Sequence, residues 1–326
     1  MEALIEQLEQ RDHEVAAVRV PFVWQTPDQV VKSYAAWRLL DLAQIESRRV
    51  DMVIALKFPA HVLPHDNKVV WLIQQFRQLY DLFGTPYSPY DRTSEEDISL
   101  RDTIQSMDTR TMGEARRLYG ISDNVVRRLS DHNDLSARVL YPPPPLDGQF
   151  QAGDYGDYVF SLSRLDELKR VEYLVEAMSL ARTPVRCKIA GSGPDATALQ
   201  SLVRRRGLTD RVEFLGRVSD EEALTLYAQA LAVYYAPYDE DYGLATIEAM
   251  KSARPVLTFN DSGGVLEFVE DEITGYTVRS RDARALAERI DTLYADRQLA
   301  KKLGQSGMER VETINWDRTL TTLLGE

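Results

Sequence analysis

A single cysteine, four histidines, no long apolar run and no basic excess limit what this chain of 326 residues does. With Cys187 alone, neither an internal disulfide nor a cysteine metal cage forms. His13, His61, His65 and His132 fall at no metal-ligand spacing. The richest apolar stretches, 69–73 and 230–235, are strand-length, well short of the roughly 18 residues that would cross a bilayer. Basic residues are outnumbered 39 to 51, for a net charge of -12, which argues against a nucleic-acid grip and against strong attraction to anionic lipid. Gly (17) and Pro (14) are not in excess, so disorder is not expected. The first nine residues have the acidic, amphipathic look of a helix and lack the basic and apolar regions of a signal peptide, so a cytoplasmic setting is expected.

What is present is a globular composition, 44% hydrophobic and 28% charged, in a chain long enough to favour two cores over one. Short β-branched runs alternate with longer amphipathic stretches, the pattern of parallel strands joined by helices, so the fold class is α/β. In the first half, strands are predicted over 14–20, 51–56, 68–73 and 138–141, and helices over 2–10, 27–46, 77–83, 94–118 and 123–132. In the second half, strands are predicted over 158–163, 186–190, 212–215, 232–236, 255–259 and 275–278. The prolines at 142–145 read as a stiff spacer, because proline fixes φ and lacks an amide donor. They divide the chain into a Rossmann-like domain over 1–142 and a second over 143–311, followed by a closing helix in 312–326. Two doubly wound domains joined in this way are expected to leave a cleft at the carboxyl ends of their strands.

Three segments carry chemistry. After the strand ending at Ser163, Arg164 and Lys169 are spaced to reach one anion, such as a diphosphate, although a solvated basic loop has the same composition. Gly191 and Gly193 follow the next strand, where glycine permits a ligand's close approach or simply a tight turn. Glu240 and Glu248 stand eight positions apart, with Gly243 marking a helix start between them. There the amides of Leu244 and Ala245 would face phosphate and Glu248 would accept from ribose hydroxyls. The triplet Asp239-Glu240-Asp241 also has the form that holds a divalent metal, a reading disfavoured because Arg164 and Lys169 already supply cationic charge.

These segments, in this order and followed by Gly263 and Gly264, resemble glycosyltransferase family four, also called group 1, of GT-B fold. The resemblance runs from about residue 158 to 311 through the Arg-x4-Lys, Gly-rich, Glu-x7-Glu and Gly-Gly segments. It implies that Arg164 and Lys169 hold the donor diphosphate, Glu248 the ribose and Glu240 the transferred hexose, with Ser163, Gly191, Gly193, Gly243, Leu244, Ala245, Gly263 and Gly264 lining the donor. It further implies a retaining transfer from a UDP- or GDP-hexose, with no cofactor and no metal, to a saccharide, lipid-linked or small-molecule acceptor.

The first half is similar to the family more loosely. Gln74 and Arg77 are the acceptor-side candidates, and many relatives carry histidine at or near Gln74, so a degenerate nucleotide-sugar-binding protein is the alternative to an active enzyme. An epimerase or phosphorylase on the same fold is a third reading. Residues 10–15 match the turn after the family's first helix, so the family's first strand and Gly-rich loop have no counterpart before them. A smaller, rearranged first sheet is therefore expected, with the strands at 14–20, 51–56 and 68–73 either pairing directly or exposing an edge that invites homo-oligomerisation through the first domain.

Overall fold

The structure, a computed structural model, describes residues 1–325; Glu326, the last residue of the expected 312–326 segment, lies outside the described residues. The chain divides into two compact units, Met1–Pro142 together with the residues from Thr319 on, and Pro143–Arg318.

In the first unit, helix α1 (Glu2–Glu9) is followed by irregular chain and helix α2 (Pro27–Arg38), which the Thr26 hydroxyl caps by accepting from the Gln29 amide. A two-residue turn at Glu46 and Ser47, both at positive φ, joins antiparallel strands β1 (Gln44–Ile45) and β2 (Arg48–Arg49). Strands β3 (Val53–Ala55) and β4 (Lys68–Leu72) precede helix α3 (Glu95–Gly113), strand β5 (Arg117–Gly120), helix α4 (Asp123–Asn133) and strand β6 (Arg138–Val139). The sheet is parallel in the order β3-β4-β5-β6. Val30 and Tyr34 of α2, Ile104 of α3, and Val62, Phe76 and Leu79 from the intervening loops make the core beside it.

Several expectations for this unit are corrected. Residues 14–20 form no ladder: a strand exists only beside a partner, and no described segment pairs with this one; Val15, Val18 and Val20 are half-buried along it. The helix expected over 27–46 stops at Arg38, and the Asp41 carboxylate then takes the Ala43 amide and leads the chain into the β1–β2 turn. Only a 3-10 turn, Arg77–Leu79, stands where a helix over 77–83 was expected. The helix expected over 94–118 ends at Gly113, and its last predicted residues belong to β5, whose pairing with β4 overrides local helical periodicity.

Polar groups are buried within this core. Asp108 is fully buried and accepts from the Tyr80 hydroxyl at 2.7 Å, while His61 Nε2 lies 2.7 Å from its other oxygen. Lys68 Nζ, also fully buried, donates to the carbonyls of His61 and Thr111 and to Glu114.

The second unit is a doubly wound domain. Its elements are β7 (Tyr158–Leu162), α5 (Val171–Leu180), β8 (Arg186–Ala190), α6 (Ala196–Arg205), β9 (Val212–Gly216), α7 (Asp220–Gln229), β10 (Ala232–Tyr234), α8 (Leu244–Lys251), β11 (Val256–Phe259), β12 (Gly275–Val278), α9 (Ala283–Ala295) and α10 (Arg297–Arg310). The final helix α11 (Trp316–Leu324) begins here, and from Thr319 on it belongs to the first unit. All six strands run parallel in the order β12-β11-β10-β7-β8-β9, so the chain winds outward from β7 in one direction and then returns to β10 on its other side. Val159, Ile189, Leu257 and Phe259 of the sheet meet Leu174 and Val175 of α5 and Ile290 of α9 in a continuous apolar core.

Candidate functional site

Reversal of strand order at β7 and β10 makes a topological switch point, where the loops leaving two neighbouring strands part and ligands bind in open α/β sheets. Lys169 leaves on the β7 side and Glu240 on the β10 side, and the two side chains meet as an ion pair. Each is about one-fifth exposed, reachable by solute but partly shielded from water. The Tyr235 hydroxyl lies 3.2 Å from both Lys169 Nζ and Glu240 Oε2.

The Glu240 backbone is fixed by its neighbour loop. Asp239 donates its amide to Asp261, Glu240 to Ser262, and Gly264 donates back to the Glu240 carbonyl at 2.7 Å, so 239–241 runs beside 261–264 like a short strand pair. A side chain at Gly263 would place its Cβ 2.5 Å from the Glu240 carbonyl oxygen, and the residue sits at φ 61, so glycine is required there by both contact and conformation. Gly243, at φ 86, turns the chain into α8, where Leu244 and Ala245 supply the first amides. One and a half turns on, Glu248 is half-buried and takes the Tyr227 hydroxyl at 2.8 Å. Burial pushes the Glu248 carboxyl up to about 7, against the opposing bond from Tyr227.

The other expected residues are placed differently from one another. Arg164 is largely exposed and bonds Asp166 at 2.9 Å, so it does not share the Lys169 contacts. Ser163 Oγ, just beyond β7, is buried and has no hydrogen-bond partner among the described residues. Gly191 and Gly193 hold backbone against backbone: a Cβ at Gly191 would lie 1.8 Å from the Ser163 carbonyl oxygen, and one at Gly193 would lie 2.1 Å from that of Leu165. Their glycine requirement is met by chain crossing within the domain. In the first unit, Gln74 is half-buried just beyond β4, and Arg77 is held by Asp81, with Nε to Oδ2 at 2.9 Å. Among the described residues no three His, Cys, Asp or Glu side chains gather to hold a metal ion, and no helix is long and apolar enough to cross a membrane.

Sequence reading missed three residues that organise this region. Arg170, nearly fully buried and at φ 53, donates to the carbonyls of Ala236 and Pro237 and to both carboxylate oxygens of Asp261, tying the ends of β10 and β11 to the loop after β7. Burial alone would raise the Asp261 carboxyl, but bonds from Arg170 and Ser280 bring it below the ordinary value. Tyr227 and Tyr235 are the other two; the consecutive tyrosines 234 and 235 at the end of an apolar run were the available signal.

Solved structures share this architecture. Sucrose-phosphate synthase from Thermosynechococcus elongatus superposes with a TM-score of 0.71 over 91% of this chain and 76% of that one, at 21% identity. HepE of Anabaena, solved with UDP and glucose, gives 0.71 over 98% and 87%, at 18% identity. The fold is that of the GT-B glycosyltransferases. The chain belongs to the glycosyl transferases group 1, whose sequence profile matches residues 148–310, half of its length. It is 32% identical over 174 residues to a D-inositol 3-phosphate glycosyltransferase of Nocardia farcinica, a match covering 50% of this chain and 38% of that protein. Well under half of that relative's length is thus represented.

Proposed function

We propose that this protein transfers a hexose from a nucleoside diphosphate sugar, a UDP- or GDP-hexose, to a saccharide, lipid-linked or small-molecule acceptor, retaining the anomeric configuration and needing no metal ion or cofactor. The observation that carries this reading is the meeting of Lys169 and Glu240 at the switch point of the second unit, beside the Gly263–Gly264 backbone. In the reaction the bond from the anomeric carbon to the diphosphate breaks and its electron pair leaves with the diphosphate, while the acceptor hydroxyl oxygen bonds to that carbon on the same face and gives its proton to the departing phosphate oxygen. Lys169, joined by Arg164 from the same loop, offsets that charge, and the α8 amides add to it. Glu240 accepts from hexose hydroxyls, and Glu248 accepts from the ribose once it has lost its proton.

A second reading, a protein that binds the donor without turnover, is favoured by one observation: Gln74, beyond β4, offers an amide where an imidazole would be able to take up a proton. Incubation with UDP-, GDP- and ADP-hexoses in excess chelator, with thermal shift and nucleotide release both measured, separates the two. Transfer gives a shift and, with acceptor, release; binding alone gives the shift only. The absence of a shift with every donor would sink both.

A further inference from the structure

Tyr235 touches more of this site than any role in filling the core requires. It follows β10 directly, is 7% exposed, and its hydroxyl contacts both members of the Lys169–Glu240 pair. The Lys169 Nζ lies 5.5 Å from its ring centroid, on the hydroxyl side. A Cβ on Gly243 would come within 3.2 Å of that ring, so the tyrosine is set against the turn that starts α8 as well. Tyr234, one residue earlier, turns its hydroxyl elsewhere, to the Arg170 carbonyl at 2.7 Å.

We propose that Tyr235 is a positioning residue that holds Lys169 and Glu240 in the arrangement the donor requires, and that keeps Glu240 in place when Lys169 turns to the diphosphate. This rests on the donor reading of the site given above. The hydroxyl accepts from the ammonium and donates to the carboxylate, and it is the one neutral group among the three. Burial first, and the Glu240 carboxylate second, push its ionisation far above the ordinary tyrosine value, so it remains a donor at any working pH. Lys169 has three N–H donors, of which Glu240 and Tyr235 take two. A diphosphate that drew the ammonium away would deprive Glu240 of its cation. The bond from Tyr235 would persist and hold the carboxylate toward the hexose.

Tyr235→Phe keeps the ring and removes both bonds. Titration calorimetry with UDP and UDP-glucose, and with GDP and GDP-mannose, is expected to show the variant losing about tenfold in affinity for the nucleotide sugar and about threefold or less for the free diphosphate. In a Glu240→Ala background the same change is expected to leave the ratio of the two affinities where it was. Equal losses for sugar and diphosphate, or an undiminished change of ratio without Glu240, would overturn the proposal. A second arm needs no donor. Acetylation by acetic anhydride, read by mass spectrometry, is expected to modify Lys169 several-fold faster in Tyr235→Phe, with Lys251, paired to Asp147 in the same unit, unchanged. An unchanged rate at Lys169, or a parallel rise at Lys251, would show that the phenol serves the fold and not the pair. A parent protein that binds neither nucleotide sugar defeats the donor reading itself, and the acetylation arm then decides separately whether Tyr235 sets the position of Lys169.

Discussion

The two units solve the problem of internal order by different means. In the second, six parallel strands make one continuous ladder, and an apolar core covers it. In the first, the parallel ladder has four strands instead of six, one of them only two residues long, and side chains add to it: a cluster of Phe22, Phe58, Phe76 and Tyr90 rings, and buried polar groups around Asp108 and Lys68. A ladder is repeated and tolerates single changes, whereas a buried polar hub concentrates many bonds on one residue. The Lys169–Glu240 site stands on the ladder-based unit, where loop positions are set by backbone bonds and by the single Arg170 side chain.

Asp108→Ala should therefore have the largest effect. It leaves the His61 ring and the Tyr80 hydroxyl without their shared acceptor inside the core, and a loss of about 4 kcal/mol from the first unit is expected, read by hydrogen exchange of each unit along a urea series. A loss under about 1 kcal/mol would break the contrast between the units. Next is Arg170→Ala, the nearest thing to a hub in the second unit. Asp261 is about one-third exposed and can regain water, so about 3 kcal/mol is expected, confined to that unit.

Smaller still is Glu248→Ala, expected to weaken nucleotide-sugar binding by about 1.5 kcal/mol at pH 7, the low end for a charged hydrogen bond, because near that pH the carboxyl is only partly ionised. The same group gives a pH dependence. Its pKa rises from 4.5 to about 7 on folding, so its contribution to stability is complete below about 4.5 and is lost as the pH climbs through 7. Glu248→Gln should flatten that decline in thermal melts recorded across the window, and a parallel decline in both proteins would show that the carboxyl is not shifted. At the other extreme, Arg48→Ala breaks only an exposed pair with Glu14 and should change stability by about 0.5 kcal/mol or less.

The same contrast explains what the sequence revealed. Strands β8 and β12 fall at the predicted residues, and β7 and β11 within one, because a strand buried in a parallel sheet is a short apolar run between turn residues. Residues 14–20 have a similar apolar content and yet pair with nothing described, and β5 was hidden at the end of a helical period; partner choice, which no local pattern encodes, decided both. In the site, the glycines and carboxylates were visible because their spacing is local. Arg170 was not, since its carboxylate partner stands 91 positions away, and Tyr235 looked like one more apolar residue in a strand.

Arg170 also bears on how the site fluctuates. One guanidinium binds the chain leaving β10 and the carboxylate after β11, while its own backbone sits at the start of α5. None of the three segments can lift away without breaking bonds that the other two share. Small, independent openings of these loops are thereby suppressed, and the lowest-energy route that exposes their amides becomes a cooperative one in which the end of β10, the loop after β11 and the first turn of α5 melt as a single unit. A protease that needs an unfolded stretch of chain would find little to cut here until that whole group has opened.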